Sequence, residues 1–450
     1  MDEPLNILIV IDNFHPLIGG AEHAALESGQ ALAARGHRVD VLTMRKNPDW
    51  PAEERLGQLR VLRFDECIPC RPFGRWLYER ANASAARRYL DHLTAESAAR
   101  GRVSAVGSRQ SADQDPQSAI RSPQSGGPPY DLMLLHPIVA AFGAIRSEAA
   151  ATASVVYCFH APLGDEHWHH VRGMFTSETP LLSRLAHYFW AARTANYRAA
   201  RQRAAIQRAN AVTCPSDYSK ELLLEAVPRL GSKRVQVIPW GVDAARFRPA
   251  ADRGALRARL GWGEGELVLF TARRLVPRMG VGQLIRGYGL AVARQPNLRL
   301  VIAGDGPLRG RLEALAQRAG GRVDFAGLVP PDDLPGYLQA ADLFVLPSIC
   351  LEAFGLVTLE ALACGTPVLA TKRCASPEVL GPLDERLLIP GSDAPAIADA
   401  ILASGLKLAT EPGFRERCRA YAVEHYSWER TAAAFEDLAF QLRRGTTRVQ

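Results

Sequence analysis

The chain has 450 residues, room for two domains of ordinary size, and 47% hydrophobic with 22% charged residues marks it as globular. Its apolar runs stay below the roughly 18 residues that a membrane span needs, and Met1-Asp-Glu3 is acidic where a secretory leader would be basic. A cytoplasmic protein with reduced thiols is expected from this and from eight scattered cysteines, and the net charge of +7 favours anionic partners.

Leu5 to Ile11 is an apolar run of buried-strand type. Asp12 to Glu22 follows, with Gly19-Gly20 opening a helical stretch that runs through Ala34 and stops at Gly36. Paired glycines there let backbone approach a ligand and offer N–H donors to an anion. Arg38–Thr43 reads as the next strand and residues 75–93 as a helix. Cys67 and Cys70 make a lone C-x-x-C without a second pair or a thioredoxin-like setting. From about 96 to 129 the chain turns to Ser, Gln, Gly, Pro, Ala and Arg and reads as a disordered insertion, in which Asp113-Gln-Asp115 is accidental.

Leu132–Leu135 and Ser154–Phe159 are further strands, the second ending at His160. The loop Ala161–His170 gathers polar and aromatic groups where a strand's carboxyl end would face a cleft; its histidines match no zinc spacing. Thr179 to Ser216 contains no acid, and six arginines are interleaved there with Tyr188, Phe189, Trp190 and Tyr197. Such a helix suits an anionic membrane surface, or packing on the sheet with a solvated arginine face. The sequence leaves both open.

Ala211–Ser216 and Val235–Asp243 end a first domain, residues 1–245. A second, residues 246–427, alternates the strands Leu267–Thr271, Leu298–Ala303, Val323–Gly327, Ala341–Leu346 and Pro367–Ala370 with helices. That alternation predicts an α/β, doubly wound parallel sheet. Residues 428–450 add a last amphipathic helix. Gly304-Asp-Gly-Pro307 is not a dinucleotide fingerprint.

The densest stretch is Pro347 to Val368, P-S-I-C-L-E-A-F-G-L-V-T-L-E-A-L-A-C-G-T-P-V. It reads as loop and helix between two buried strands, so the helix N-terminus at Phe354, Gly355, Leu356 and Val357 offers unpaired amides to an anion. Glu352 and Glu360 flank it as E-x7-E and can accept hydrogen bonds from hydroxyls. This pattern resembles the donor-site signature of the retaining GT-B glycosyltransferases of family 4.

The resemblance implies two facing Rossmann-like domains, with the last helix returning to the first. It implies Glu352 on the donor hexose, Glu360 on the ribose, and the amides at 354–357 with Gly20 on the phosphates. Arg273 to Gly280, R-R-L-V-P-R-M-G, resembles the family's G-R-L-x-x-x-K-G, with Arg274 in the Arg place and Met279 in the Lys place; Arg278 is the candidate substitute. His160 matches the histidine beside the transferring sugar, and Gly19, Glu22 and Asp165 fall on the acceptor side, the last in a lid-like loop. Trp240 stands in the Asn place of the N-G-V-D hinge segment. His160, Arg274 and Glu352 are thus the expected catalytic residues.

The implied activity is metal-independent transfer from a nucleotide sugar to a glycan, lipid-linked or small-molecule acceptor, in cell-surface glycan or glycolipid synthesis. No cofactor and no nucleic acid are expected, and the protein would be cytoplasmic or peripheral on the inner membrane face. Met279 leaves a catalytically weak sugar-nucleotide-binding or scaffolding subunit as the alternative; an epimerase or phosphorylase on the same architecture has no distinguishing motif here.

Overall fold

The computed structural model describes residues 3–16, 19–68, 74–107, 129–137, 139–172, 181–231 and 233–446. Cys70 and Asp113-Gln-Asp115 lie outside them. The strands run in chain order as β1 (Asn6–Val10), β2 (Arg38–Arg45), β3 (Glu53–Leu56), β4 (Leu59–Asp65), β5 (Leu132–Leu135), β6 (Ser154–Cys158), β7 (Ala211–Cys214) and β8 (Arg234–Val237). They continue with β9 (Leu267–Ala272), β10 (Leu298–Ala303), β11 (Arg322–Gly327), β12 (Leu343–Leu346), β13 (Val368–Thr371) and β14 (Leu388–Ile389).

The first eight form one sheet in the order β3-β4-β2-β1-β5-β6-β7-β8, parallel except for the β3–β4 hairpin. The last six form a second, parallel sheet in the order β11-β10-β9-β12-β13-β14. Strands covered by helices on both faces are apolar throughout, and β5, β7, β10, β12 and β13 are buried along their whole length.

Each strand order reverses once. The chain leaves β1 toward β2 and returns to β5 on its other side; it leaves β9 toward β10 and returns to β12. At such a reversal, helices depart to opposite faces and the carboxyl ends of two neighbouring strands open a crevice. Asp12, Gly19, Gly20 and His136 emerge at the first reversal. Arg273 and Ser348–Glu352 emerge at the second.

Three elements depart from the sequence reading. The hairpin β3–β4 was not expected, because the charges of Arg60 and Arg63 interrupt its apolar pattern; Arg63 is buried and bonds to Glu54 and to the Pro51 carbonyl. The helix expected over 75–93 runs Gly74–Gly107, so the first part of the segment read as disordered is helical, in keeping with its Ala, Glu and Arg content. The loop expected at 161–170 is the helix Leu163–Arg172, whose first-turn Asp165 and Glu166 suit its dipole.

The chain crosses from the first sheet's domain to the second near Trp240 and back near Ser427. The helix Trp428–Thr446 then packs Ala432, Phe435, Leu438 and Ala439 into the core that contains Leu5, Ile7 and Ile9 of the first sheet's domain.

Candidate active site

β9 ends at Ala272, and the next residue, Arg273, turns its side chain under the loop that follows β12. Its Nη2 donates to Glu352 and, at 3.1 Å, to the hydroxyl of Ser348, which itself donates to Glu352 Oε2 at 3.1 Å. Arg273 is 8% exposed and its Nε is buried without a partner among the described residues. Burial alone would raise the pKa of Glu352, but Arg273, then Arg278 and the Ser348 hydroxyl, hold it below the ordinary glutamate value. The site therefore carries a fixed carboxylate and an arginine with a spare donor.

The loops of this crevice are tightly knit. A side chain at Gly280 would fall 1.8 Å from the Pro347 carbonyl, and its φ of 72° is left-handed. Leu351, directly before Glu352, has the unusual φ of 58° for a non-glycine residue. Arg278 Nη1 donates to the Leu351 carbonyl at 3.0 Å, holding that turn.

The helix Leu356–Ala363 starts from Gly355, at φ 81° and ψ 60°, with no side chain capping its first amides. Leu356 is buried and Val357 half-buried. Phe354 is buried, its ring 5.7 Å from that of Trp240 and 5.8 Å from that of Tyr426, so the side chain seals the interdomain seam.

Glu360, 8% exposed, faces the other domain. Its carboxylate is 3.7 Å from His23 Nε2, and His23 Nδ1 is 3.9 Å from Glu27. Burial first, with Glu27 adding repulsion, raises Glu360 to about 7 against the opposing charge of Arg246. Burial and then Asp243 raise Glu27 to about 7 as well, whereas burial and then Arg246 push His23 down to about 4. His23 is consequently neutral near pH 7, and these contacts, beyond hydrogen-bond length, are not ion pairs.

In the first domain, Gly19 is the extended residue before the helix Gly20–Ala34, and Gly20 borders open space. Glu22 accepts from Asn13 Nδ2 at 3.3 Å, and burial raises its pKa. His160 Nε2 lies 3.1 Å from His136 Nδ1, and its ring centroid is 5.2 Å from that of Trp240. Burial pushes His160 down to about 4 and His136 well below the ordinary histidine value. Both imidazoles are therefore neutral at pH 7. An aromatic chain His136–His160–Trp240–Phe354–Tyr426 thus runs from one domain into the other.

Several expected site residues are placed differently. Arg274 is exposed, and Arg273 occupies the position against Glu352, because neighbouring side chains of an extended segment point to opposite sides. Asp165 is exposed; the next residue, Glu166, reaches across the cleft and accepts from Arg278 Nη2 at 3.0 Å. Arg278 is thereby engaged with Leu351 and Glu166, while the sulfur of Met279 rests against Arg273. Sequence reading missed Arg273, Ser348, His23 and Glu27. For the first two the signal was local, an arginine at a strand end and S-x-x-x-E; for His23 and Glu27, which meet Glu360 from another domain, there was none.

Comparison with known proteins accords with this geometry. The model described as "Glycosyl transferases group 1" matches residues 252–425, and that described as "Glycosyltransferase Family 4" matches residues 86–246. A GDP-mannose-dependent monoacylated alpha-(1-6)-phosphatidylinositol monomannoside mannosyltransferase of Corynebacterium glutamicum is 33% identical over 204 residues, 43% of this chain and 52% of the relative. A D-inositol 3-phosphate glycosyltransferase of Streptomyces bingchenggensis is 33% identical over 231 residues, 48% of this chain and 50% of the relative. The chain thus spans about half the length of these relatives. Among solved structures, sucrose-phosphate synthase from Thermosynechococcus elongatus superposes with a TM-score of 0.71 at 23% identity, covering 98% of this chain and 100% of that one. WaaG, a glycosyltransferase involved in lipopolysaccharide biosynthesis, gives 0.63 at 18% identity, covering 96% and 99%. The two-domain architecture is that of the GT-B fold, and the chain belongs to the group 1, family 4 glycosyltransferases.

Proposed function

We propose that this protein transfers a sugar from a nucleotide diphosphate to a glycan, lipid-linked or small-molecule acceptor, with retention of anomeric configuration and without a metal ion. The observation that carries the reading is the buried Arg273–Ser348–Glu352 cluster at the strand-order reversal of the second domain. Departure of the nucleotide builds negative charge on the leaving phosphate, and preorganised N–H donors stabilise it. The positive charge of Arg273 and the uncapped amides of Leu356 and Val357 would supply that stabilisation, with Gly20 closing from the other domain. Glu352, kept ionised, would accept from hexose hydroxyls, and Glu360 from the ribose. His160, neutral and held by His136, would sit beside the transferring sugar as a hydrogen-bond partner. The leaving phosphate would help deprotonate the acceptor on the same face.

The named relatives make GDP-mannose the first donor to try and an inositol-phosphate or phosphatidylinositol glycoside the first acceptor. This would be a cytoplasmic step of cell-surface glycan or glycolipid synthesis, with the helix Leu181–Arg208 facing an anionic inner-membrane surface; exposed Leu182, Leu185, Phe189 and Trp190 support that orientation. No helix among the described residues is long and apolar enough to cross a membrane. Incubation with a panel of nucleotide sugars and chelator, followed by nucleotide release and NMR of the product anomer, tests the reading. Release with an inverted anomer, or only with added metal, would overturn it. Met279 in the family's Lys place favours a second reading, a binding subunit with weak turnover, for which donor binding without release is the expected outcome.

A further inference from the structure

Away from the cleft, three helices of the first domain enclose an open pocket of about 420 Å³ whose lining includes Arg80, Arg87, Arg146 and Arg201. The helix Gly74–Gly107 and the helix Val139–Ala144 come together because Gly143 has no side chain, a Cβ there falling 1.9 Å from the Ala83 carbonyl. That contact brings Arg80 and Arg87 beside Arg146. The third wall is the helix Leu181–Arg208, which contributes Tyr197 and Arg201.

Arg201 anchors the pocket. Its guanidinium carbon lies 4.8 Å from the ring centroid of Phe142 and 5.3 Å from that of Tyr197, and it donates to the Tyr197 hydroxyl. Its Nε is buried with no partner among the described residues. Neither Arg146 nor Arg201 has an ion pair among the described residues, and Arg87 shares Asp91 at 3.3 Å. Burial, then the charges of Arg201, Arg208 and Arg87, lowers the pKa of Arg146. Cations are thus crowded together, and stability alone gives no reason to crowd them.

We propose that this pocket binds a phosphate group, presented by the headgroup of an anionic lipid. Guanidinium forks match phosphate oxygens two at a time. The lipid source follows from the same helix: Leu182, Phe189 and Trp190 are 82%, 60% and 64% exposed toward its N-terminal end. Leu182, Phe189, Arg193, Tyr197 and Arg201 follow one another at helical spacing, so apolar groups able to enter a bilayer and the headgroup pocket share one face. The lipid source rests on the membrane-surface reading above; the phosphate chemistry of the pocket does not.

The test compares the wild-type chain with Arg146→Gln and with Arg87→Gln/Arg146→Gln. Both sites are exposed and lie outside the cleft, so turnover on a soluble acceptor should be unchanged. Co-sedimentation uses phosphatidylcholine vesicles with and without phosphatidic acid, and calorimetry uses inorganic phosphate. We expect wild-type binding only to vesicles with phosphatidic acid, weakened about tenfold or more in the double variant and partly in the single one. If vesicles are ignored but inorganic phosphate binds more weakly to the variants, the phosphate site stands and the lipid source falls. Cleft binding of phosphate is common to all three proteins and cancels. Wild type binding neither probe, or variants equal to wild type on both, would overturn the proposal. If the double variant is unfolded, the single variant decides, since the Arg146 side chain makes no hydrogen bond among the described residues.

Discussion

The two carboxylates that flank the helix Leu356–Ala363 share burial but not charge. Glu352 lies against Arg273 and Ser348 and is held below the ordinary glutamate value; Glu360 lies against a neutral His23 and a second acid, Glu27, and is raised to about 7. Burial acts on both in the same direction, so the difference comes from the cation placed beside one of them. The charge of Glu352 is therefore compensated without a ligand. Glu360 lacks a fixed positive charge in contact, and hydroxyl donors from a bound sugar would give it partners that the protein withholds.

Removing the cation should break the contrast most strongly. Arg273→Leu leaves Glu352 buried and uncompensated, at an expected loss of about 3–5 kcal/mol in denaturant unfolding, with turnover down roughly 10²–10³-fold. Arg273→Lys keeps the charge but not the fork, and should fall between. Unchanged stability in Arg273→Leu would mean that Glu352 carries no charge to compensate.

Glu360→Gln sharpens the contrast from the other side. Folded Glu360, with its pKa raised from 4.5 to about 7, holds a proton that the unfolded chain releases, so rising pH between those values destabilises the wild type. The glutamine variant is spared that loss. Its advantage should be small near about pH 5 and reach roughly 2–3 kcal/mol near about pH 8, read by urea unfolding at both. Donor affinity should fall meanwhile, because an amide accepts more weakly than a carboxylate. A stability difference that ignores pH would show Glu360 already paired as an anion.

Arg278→Ala removes a cross-cleft ion pair whose partners are partly exposed, worth about 1 kcal/mol or less and fading with salt, and the bond to the Leu351 carbonyl, worth about 1.5 kcal/mol. Met279→Ala should be mild, since the sulfur fills space against Arg273. The smallest effect is expected at exposed Arg274, where alanine should change stability by about 0.5 kcal/mol or less. Turnover of Arg274→Ala as poor as that of Arg273→Leu would return the phosphate-side role to Arg274.

What the sequence made legible follows from how local each signal is. Apolar runs such as Leu132–Leu135 and Ala341–Leu346 announce buried parallel strands, and the Glu352/Glu360 spacing around a helix start announces the crevice. Which of Arg273 and Arg274 turns inward depends on where the strand ends, and a motif read residue by residue does not contain that rotation. The hairpin Glu53–Asp65 was hidden because Arg63 is buried through partners supplied by Glu54 of its own hairpin, the Pro51 carbonyl of the preceding loop and the His15 carbonyl after β1. His23 and Glu27 meet Glu360 across more than 300 positions of chain. No local pattern encodes such a meeting.

The two chain crossings between domains are bonded to each other. Val242 N–H donates to the Tyr426 carbonyl at 3.1 Å, Val242 pairs with Ser427 as a parallel bridge, and the Thr431 hydroxyl donates to the Pro239 carbonyl at 2.7 Å. Outgoing and returning segments therefore form one two-stranded hinge, and relative motion of the domains must pivot there, because sliding would shear both segments at once. The contacts such a rotation would separate include Arg278 with Glu166, His23 beside Glu360, the Ser216 hydroxyl with the Ala353 carbonyl, and the amides of Asp217 and Tyr218 with Glu378. A rotation about that hinge would preserve the register of one crevice against the other as it swings.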